Sequence, residues 1–414
     1  MPLPDPPISK KSHPASGIPY GPLILTLLMQ TLATMAAFSA PTLAPEIARD
    51  LQVDGNLIGF FVSTVYGIGI FSAVLSPDFI VKYGAVRVGQ FVMLGVVAML
   101  LIAGSGGVAA LALCAFVLGS GYGATAPVST HLLIPRTDPR VLNLVFSIRQ
   151  IGVPLGGVLG ALLLPVLAVS FGWRMAFYVQ VIPSIILIVW YQYYRTTWDA
   201  DRTPTHKLLK AEGLRPLFLL RDNPVIRLLA IACFCYAGIQ LCFIGFMALH
   251  LTDETGLDLV AAGQVLALYQ IAGVTSRPLW GWLADKYISA IKLLAILGFL
   301  MAGAALAAGQ FSLSWPIWAI LIVSAVAGGT ASGFTGIAYG AFAVYGGQYR
   351  TEATALGSSA MFSGVLILPT VFGLLVGHLD HYWLSYGILA VIASLSGVML
   401  LLAKIPAAGI MEKK

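Results

Sequence analysis

Gly273-Val-Thr-Ser-Arg-Pro-Leu-Trp-Gly-Trp-Leu-Ala-Asp-Lys286 closes an apolar run that begins near residue 258, and it carries an arginine well before its charged end. Whether that run is long enough to cross a bilayer decides the fold, and with it what Arg277 is doing there. A hydrocarbon core of about 30 Å takes roughly 20 apolar residues in a helix, and 258–284 meets that length. Comparable runs lie at 20–40, 56–76, 87–107, 109–133, 142–168, 173–193, 226–250, 291–310, 314–341, 353–377 and 382–404. Leu, Ile and Val are interleaved with Gly and Ala in them, and ten-residue polar/apolar alternation is absent, which favours helices over a barrel. The chain is 58% hydrophobic and 10% charged, against about 45–50% and about 25% in a soluble domain. The expected fold is an all-α membrane protein with twelve transmembrane helices.

The net charge of +6 could suggest a nucleic-acid partner, but its distribution points to topology instead. With the first residue placed in the cytoplasm and loops counted alternately, 19 of the 23 lysines and arginines fall on the inner side. Arg49 and Arg174 fall outside, and Arg149 and Arg277 lie within helices. This asymmetry follows the positive-inside rule. A multi-pass protein of the cytoplasmic (inner) membrane with both termini cytoplasmic is expected, its partners being the lipid bilayer and a small molecule, with no nucleic acid. The apolar run after the Pro-rich 1–19 is longer than a signal-peptide core, so a retained first helix is expected. Cys114, Cys233, Cys235 and Cys242 lie in apolar runs and read as packing residues, not as metal ligands or a disulfide framework.

A charged inner loop, 195–225, divides the chain between a six-helix bundle at 20–194 and another at 226–404, flanked by cytosolic tails at 1–19 and 405–414. The halves echo each other. GSGYGA in the fourth run (Gly119, Gly121, Gly123) faces GGTASGFTGIAYG in the tenth, and GGVLGALLLP in the fifth faces SGVLILP in the eleventh. Features repeated six helices apart predict two bundles related by a pseudo-two-fold axis, as in a carrier. The spacings Gly329-x-x-x-Gly333 and Gly336-x-x-x-Gly340 put small residues on one helix face, suited to close static packing or to sliding of one half on the other.

Twelve runs, a charged central loop and the Gly281, Asp285, Lys286 stretch together resemble the major facilitator superfamily over nearly the whole chain. That family's loop signature is a glycine, three residues, an aspartate, a basic residue and soon a second glycine, where this chain has Ile288. In the N-terminal half Lys82, Gly84 and Arg87 are kept, while Pro77 and Val81 replace the glycine and the aspartate. The resemblance implies secondary active transport by alternating access, a monomer, and no cofactor. It also implies that Gly281, Asp285, Lys286, Lys82 and Arg87 belong to the gate between the halves. Arg277-Pro278 followed by Gly281 is similar to the eighth helix of proton-linked monocarboxylate carriers, where an arginine at this place binds the substrate carboxylate. The fifth-helix exporter signature is matched only partly by Pro154-Leu-Gly156-Gly157.

An arginine at helix centre costs roughly 2.5–3.5 kcal/mol on insertion scales. Arg277 lies eight residues before Asp285, hence about 12 Å from the inner end, with Tyr269, Gln270 and Gly273 on its face. Pro278 loosens the helix beside it. A guanidinium there can offer its planar fork to a carboxylate, or it can snorkel inward or pair with Asp285. Arg149 has Gly152, Gly156 and Gly160 on its own face, which predicts a structural, gating role in a helix contact near the inner surface, bonded to loop carbonyls. Gln30, Thr34, Tyr66, Tyr122, Tyr236, Gln240 and Tyr339 are among the few polar side chains within the other helices, and each serves either the pathway or the core. In the superfamily's arrangement the first, fourth, seventh and tenth helices line the cavity, which makes Gln30, Tyr122, Tyr236, Gln240 and Tyr339 candidates for substrate binding, with Tyr66 beside them. No Asp or Glu lies deep in any run, and His131 is a candidate proton site or an interfacial residue.

Two functions follow. The first is a secondary carrier of a small organic anion, in the first instance a carboxylate, around Arg277, with proton symport, exchange and uniport all open. The alternative is an exporter of apolar or cationic compounds in which Arg277 is structural. An enzyme is not expected, because no Ser/His/Asp or metal-ligand grouping falls within helix reach, and no P-loop marks ATP as the energy source.

Overall fold

The computed structural model describes residues 17–52, 56–208, 215–379 and 382–403. The tails at 1–16 and 404–414, Lys210 of the central loop and His381 lie outside the described residues. Long apolar stretches satisfy their own backbone groups only as helices in lipid, and the described chain is helical nearly throughout. The N-terminal half comprises α1 (Tyr20–Thr42), α2 (Ala44–Leu51), α3 (Asn56–Tyr83), α4 (Ala85–Gly104), α5 (Val108–Tyr122), α6 (Thr125–Leu133), α7 (Leu142–Gln150), α8 (Gly152–Phe171), α9 (Trp173–Val179) and α10 (Val181–Trp198). The C-terminal half comprises α11 (Arg215–Asp222), α12 (Pro224–Thr255), α13 (Leu259–Lys286), α14 (Ala290–Ala308), α15 (Ile317–Ala327), a π-helical turn (Gly328–Ser332), α16 (Thr335–Tyr345), α17 (Arg350–Leu379) and α18 (Tyr382–Leu402). Eleven of these helices or helix pairs are long and apolar enough to span a bilayer among the described residues. The twelfth span is α13, where Arg277, Asp285 and Lys286 dilute the apolar run. The architecture is twelve helices in two bundles, each with its own hydrophobic core, one built on Met29, Met93 and Phe177 and the other on Phe243, Met301 and Tyr386.

Three spans are broken, and the sequence shows why. The fourth breaks at Gly123, where an added Cβ would lie 2.1 Å from the Gly69 carbonyl oxygen. The fifth breaks at Ile151, ahead of Gly152 and Pro154. The tenth passes through the π turn at Gly328–Ser332, and such turns mark functional sites in helices.

The helix ends that carry Arg136, Arg195 and Lys286 define a basic end of the molecule. There the bundles meet. Asp285 accepts hydrogen bonds from the Asn143 and Leu144 backbone N–H groups (2.9 and 2.8 Å) and from the Asn143 side chain (2.9 Å), so a carboxylate of the C-terminal half caps the N-terminus of α7. Glycines make the approach possible: an added Cβ would stand 2.7 Å from Leu144 Cα at Gly281 and 2.4 Å from Ser147 Cα at Gly336. Among the described residues every hydrogen bond between the halves lies from mid-helix, where Ser359 Oγ donates to the Ile70 carbonyl (3.0 Å), to this end. The molecule is closed at its basic end.

Removing the Asp285 cap is expected to loosen this seam. An N-cap contributes about 1 kcal/mol, so Asp285→Ala should speed maleimide labelling of a Ser147→Cys reporter by about fivefold, in a background lacking the four native cysteines. An unchanged labelling rate would remove Asp285 from the gate.

The N-terminal signature works differently from its counterpart. Val81 stands where the aspartate is expected, and Asp199 of the central loop takes over, accepting from the Val86 and Arg87 N–H groups at 2.7 and 3.0 Å. Its carboxyl group lies against Gly84, whose φ of +92° and crowded Cβ position admit only glycine comfortably. Burial raises the Asp199 carboxyl above the usual carboxylate range. Lys82 sits over the Tyr83 ring and Arg87 donates to Gln90 (3.0 Å), both within their own half. Lys286 lies over Trp282 and Tyr287. Among the described residues these three basic side chains contact neighbours in their own bundles and form no charge pair across the seam.

Candidate functional site

Arg277 and Arg149 are among the largest fully buried side chains in the protein. Arg277 reaches across α13 to the π turn: its Nε and Nη2 donate to the Ser332 carbonyl at 3.2 and 2.9 Å, and Nη2 also meets Ser332 Oγ at 3.4 Å. Its Nη1 crosses to the other bundle and donates to the Gln150 carbonyl oxygen. Pro154 has no N–H to give that carbonyl in the helical i+4 pattern, so the break between α7 and α8 leaves an acceptor that Arg277 fills. The partners are neutral oxygens. Neither snorkelling nor pairing with Asp285 describes Arg277, since Asp285 is committed to α7.

Arg149 differs from the expectation. Its Nη2 donates to Gln30 Oε1 (2.7 Å) and the Thr125 carbonyl (3.1 Å), and its Nη1 donates to Gln150 Oε1. Its Nε has no partner. The residue thus lies at the level of Gln30 and within electrostatic reach of Arg277, not among loop carbonyls. The glycine face does pack against α1, with an added Cβ at Gly156 standing 2.3 Å from the Thr31 carbonyl. That contact lies beyond the helix break, and Arg149 lies two residues before the break, well inside its span.

Gln30, Thr34 and Tyr122 form one network, with Gln30 Nε2 donating to Thr34 Oγ1 (3.0 Å) and Tyr122 Oη (3.4 Å), and Thr34 and Tyr122 hydroxyls 3.2 Å apart. Tyr66 sets its ring edge-on to Tyr122 at 5.8 Å and to Phe362 of the other bundle at 5.2 Å. Tyr339 shares a hydrogen bond with Ser358 (3.0 Å) within electrostatic reach of Arg149. Gln240 bonds Ser332 Oγ (3.3 Å), one step from Arg277, and Tyr269 donates to the Gln240 carbonyl (3.4 Å). These residues gather around the two arginines.

Three expected site residues do not join them. Tyr236 donates to the Leu294 carbonyl (3.2 Å) and stands against Gly298, so its hydroxyl faces α14 inside its own bundle. Gln270 is half-buried and takes no part in the Arg277 network. His131 pairs with Asp201 at 2.8 Å on the basic end, and that bond holds the Asp201 carboxyl below the usual carboxylate range. With His206 on Asp78 (3.1 Å) and the Thr203 N–H on the Val81 carbonyl (2.8 Å), it ties the central loop to the N-terminal bundle. Sequence reading missed Gln150 and Ser332. The signal for the first was Pro154 four residues on, which strips its carbonyl of a helical donor.

The family model described as Major Facilitator Superfamily matches residues 26–343 and 229–412, and the chain belongs to that family. It is a membrane transporter of this superfamily, not an enzyme. It is 24% identical over 274 residues to the hexuronate transporter of Bacillus subtilis, covering 64% of each chain. It is 19% identical over 176 residues to the sialic acid transporter NanX of Escherichia coli, covering 42% of each. A multi-drug resistance efflux pump, PmrA of Streptococcus pneumoniae, is 30% identical over 172 residues, 39% of this chain and 42% of the pump. The chain thus spans under two thirds of each of these relatives. Among solved structures, the E. coli fucose:proton symporter FucP superposes with a TM-score of 0.73 at 13% identity over 93% of this chain and 99% of that one, a likeness of fold.

Proposed function

We propose that the protein is a secondary carrier of a small organic anion, bound through its carboxylate between Arg149 of one bundle and Arg277 of the other. One observation carries this reading: two fully buried guanidiniums within electrostatic reach of each other contact only neutral oxygens, and among the described residues no Asp, Glu or His stands beside them. Buried charges are retained when something compensates them, and an anionic substrate supplies that compensation here. The Gln30, Thr34 and Tyr122 network adds donors and acceptors for a hydroxylated body, in line with the hexuronate and sialic acid relatives. The basic end is cytoplasmic under the positive-inside rule, so the state described is closed inward. Binding would offset the repulsion between the arginines and let the bundles close around the anion before the Asp285 seam opens.

The second reading, export of apolar or cationic compounds, draws on the Tyr66, Tyr122 and Phe362 rings and on the PmrA similarity. The two readings separate in a proteoliposome uptake assay with labelled lactate, glucuronate, glucose and tetraphenylphosphonium. Carboxylate uptake with no glucose or cation transport is the expected result. Transport of tetraphenylphosphonium alone would establish the exporter.

A further inference from the structure

Gln150 stands between the two guanidiniums and serves both. Its backbone carbonyl accepts from Arg277 Nη1 and its side-chain Oε1 accepts from Arg149 Nη1. Two oxygens of one residue thus hold one N–H from each bundle, the same demand that the two oxygens of a carboxylate meet when they bridge two guanidiniums. The backbone oxygen is available because Pro154 removes its helical donor. Among the described residues the Gln150 amide nitrogen donates to no protein acceptor, so the side chain is held there through its oxygen alone.

We infer that Gln150 is a built-in stand-in for the substrate carboxylate, which the incoming anion displaces from the arginine pair, and that it thereby sets the affinity of the site. This rests on the anion-carrier reading. Gln150 gives each guanidinium one acceptor without neutralising it, so the site stays assembled and keeps its preference for a charged ligand. It also bridges the bundles, through the α7–α8 break on one side and Arg277 on the other, so its displacement is coupled to release of the contact between halves.

The test needs no known substrate. Gln150→Glu puts a tethered carboxylate on Arg149 Nη1, leaves the backbone carbonyl on Arg277 and forfeits no hydrogen bond. The full-length protein carrying it should melt several degrees above the parent in detergent without added ligand, and the gain should vanish when Arg149→Gln is added. Gln150→Leu, similar in size and without the oxygen, should lower the half-saturating concentration of glucuronate in the uptake assay by about tenfold, equivalent to one hydrogen bond to a charged group, while Gln150→Glu should show no saturable uptake. A Gln150→Glu protein that melts no higher than the parent, or whose gain survives loss of Arg149, overturns the inference. If the parent takes up no carboxylate, the anion-carrier reading fails, and the melting comparison still decides whether the Gln150 side chain holds Arg149 as a carboxylate mimic.

Discussion

Arg277→Gln is expected to abolish uptake of the carried anion in a protein that still folds. Arg277 supplies the C-terminal bundle's half of the site, and its planar fork spans two separate acceptors, Ser332 on the π turn and Gln150 across the seam. Removing one partner of a buried hydrogen-bonded charge pair costs about 2–5 kcal/mol of binding, or at least about thirtyfold in affinity. Stability should hold, because an uncompensated buried guanidinium is itself unfavourable and glutamine keeps an amide within reach of the Ser332 carbonyl. Arg277→Lys should fail nearly as badly, since an ammonium gathers its donors on one nitrogen and lacks the planar fork whose separate nitrogens reach acceptors on different helices. Initial uptake rates in proteoliposomes, with melting temperatures as the control for folding, check both. Full uptake by either variant would return Arg277 to the scaffold.

Gly336→Val is expected to stop transport by a different route. A Cβ at Gly336 would lie 2.4 Å from Ser147 Cα and 2.5 Å from Ser147 Oγ, so an added side chain must push back the α7 backbone. Overpacking of this kind costs about 1–3 kcal/mol, and here the cost falls on the closed basic end alone. The closed state is already imperfect: Ser147 Oγ, Thr335 Oγ1 and Asn143 Oδ1 are buried at this seam without partners, and each such group costs about 1–3 kcal/mol. Water would satisfy all three once the seam parts. The variant should therefore rest open at the basic end, label rapidly at Ser147→Cys, and lose nearly all uptake while its site residues are intact. Slow labelling with normal uptake would mean that the halves do not separate along α7, α13 and α16.

The spans were legible because their length is set by the membrane: the run at 258–284 became Leu259–Lys286, and that at 382–404 became Tyr382–Leu402. Arg277 was legible for the same reason, since a charge about 12 Å inside a helix must be accounted for. Arg149 carried an equal signal, seven residues inside its span, but the glycines after it drew the reading toward packing. Those glycines do pack against α1, and the break at Ile151 separates them from Arg149. Tyr236 shows the opposite limit. A helix in a bundle touches several neighbours, and the i, i+4 relation to Gln240 gives a common face without saying which neighbour it meets. The exchange of Val81 for Asp199 was illegible because a carboxylate more than a hundred residues away caps the same turn.

The most direct measurement is the thermal unfolding of the purified protein with a carboxylate and with its primary amide, for the parent and Arg277→Gln together. Glucuronate and glucuronamide share shape and hydroxyls and differ in the charge that the arginines address. At about 100 times its dissociation constant a ligand stabilises by roughly 2.7 kcal/mol. Stabilisation of the parent by glucuronate, with no response to glucuronamide and none in Arg277→Gln, is the expected result. Equal stabilisation of both proteins by acid and amide would contradict a site built on the arginine pair.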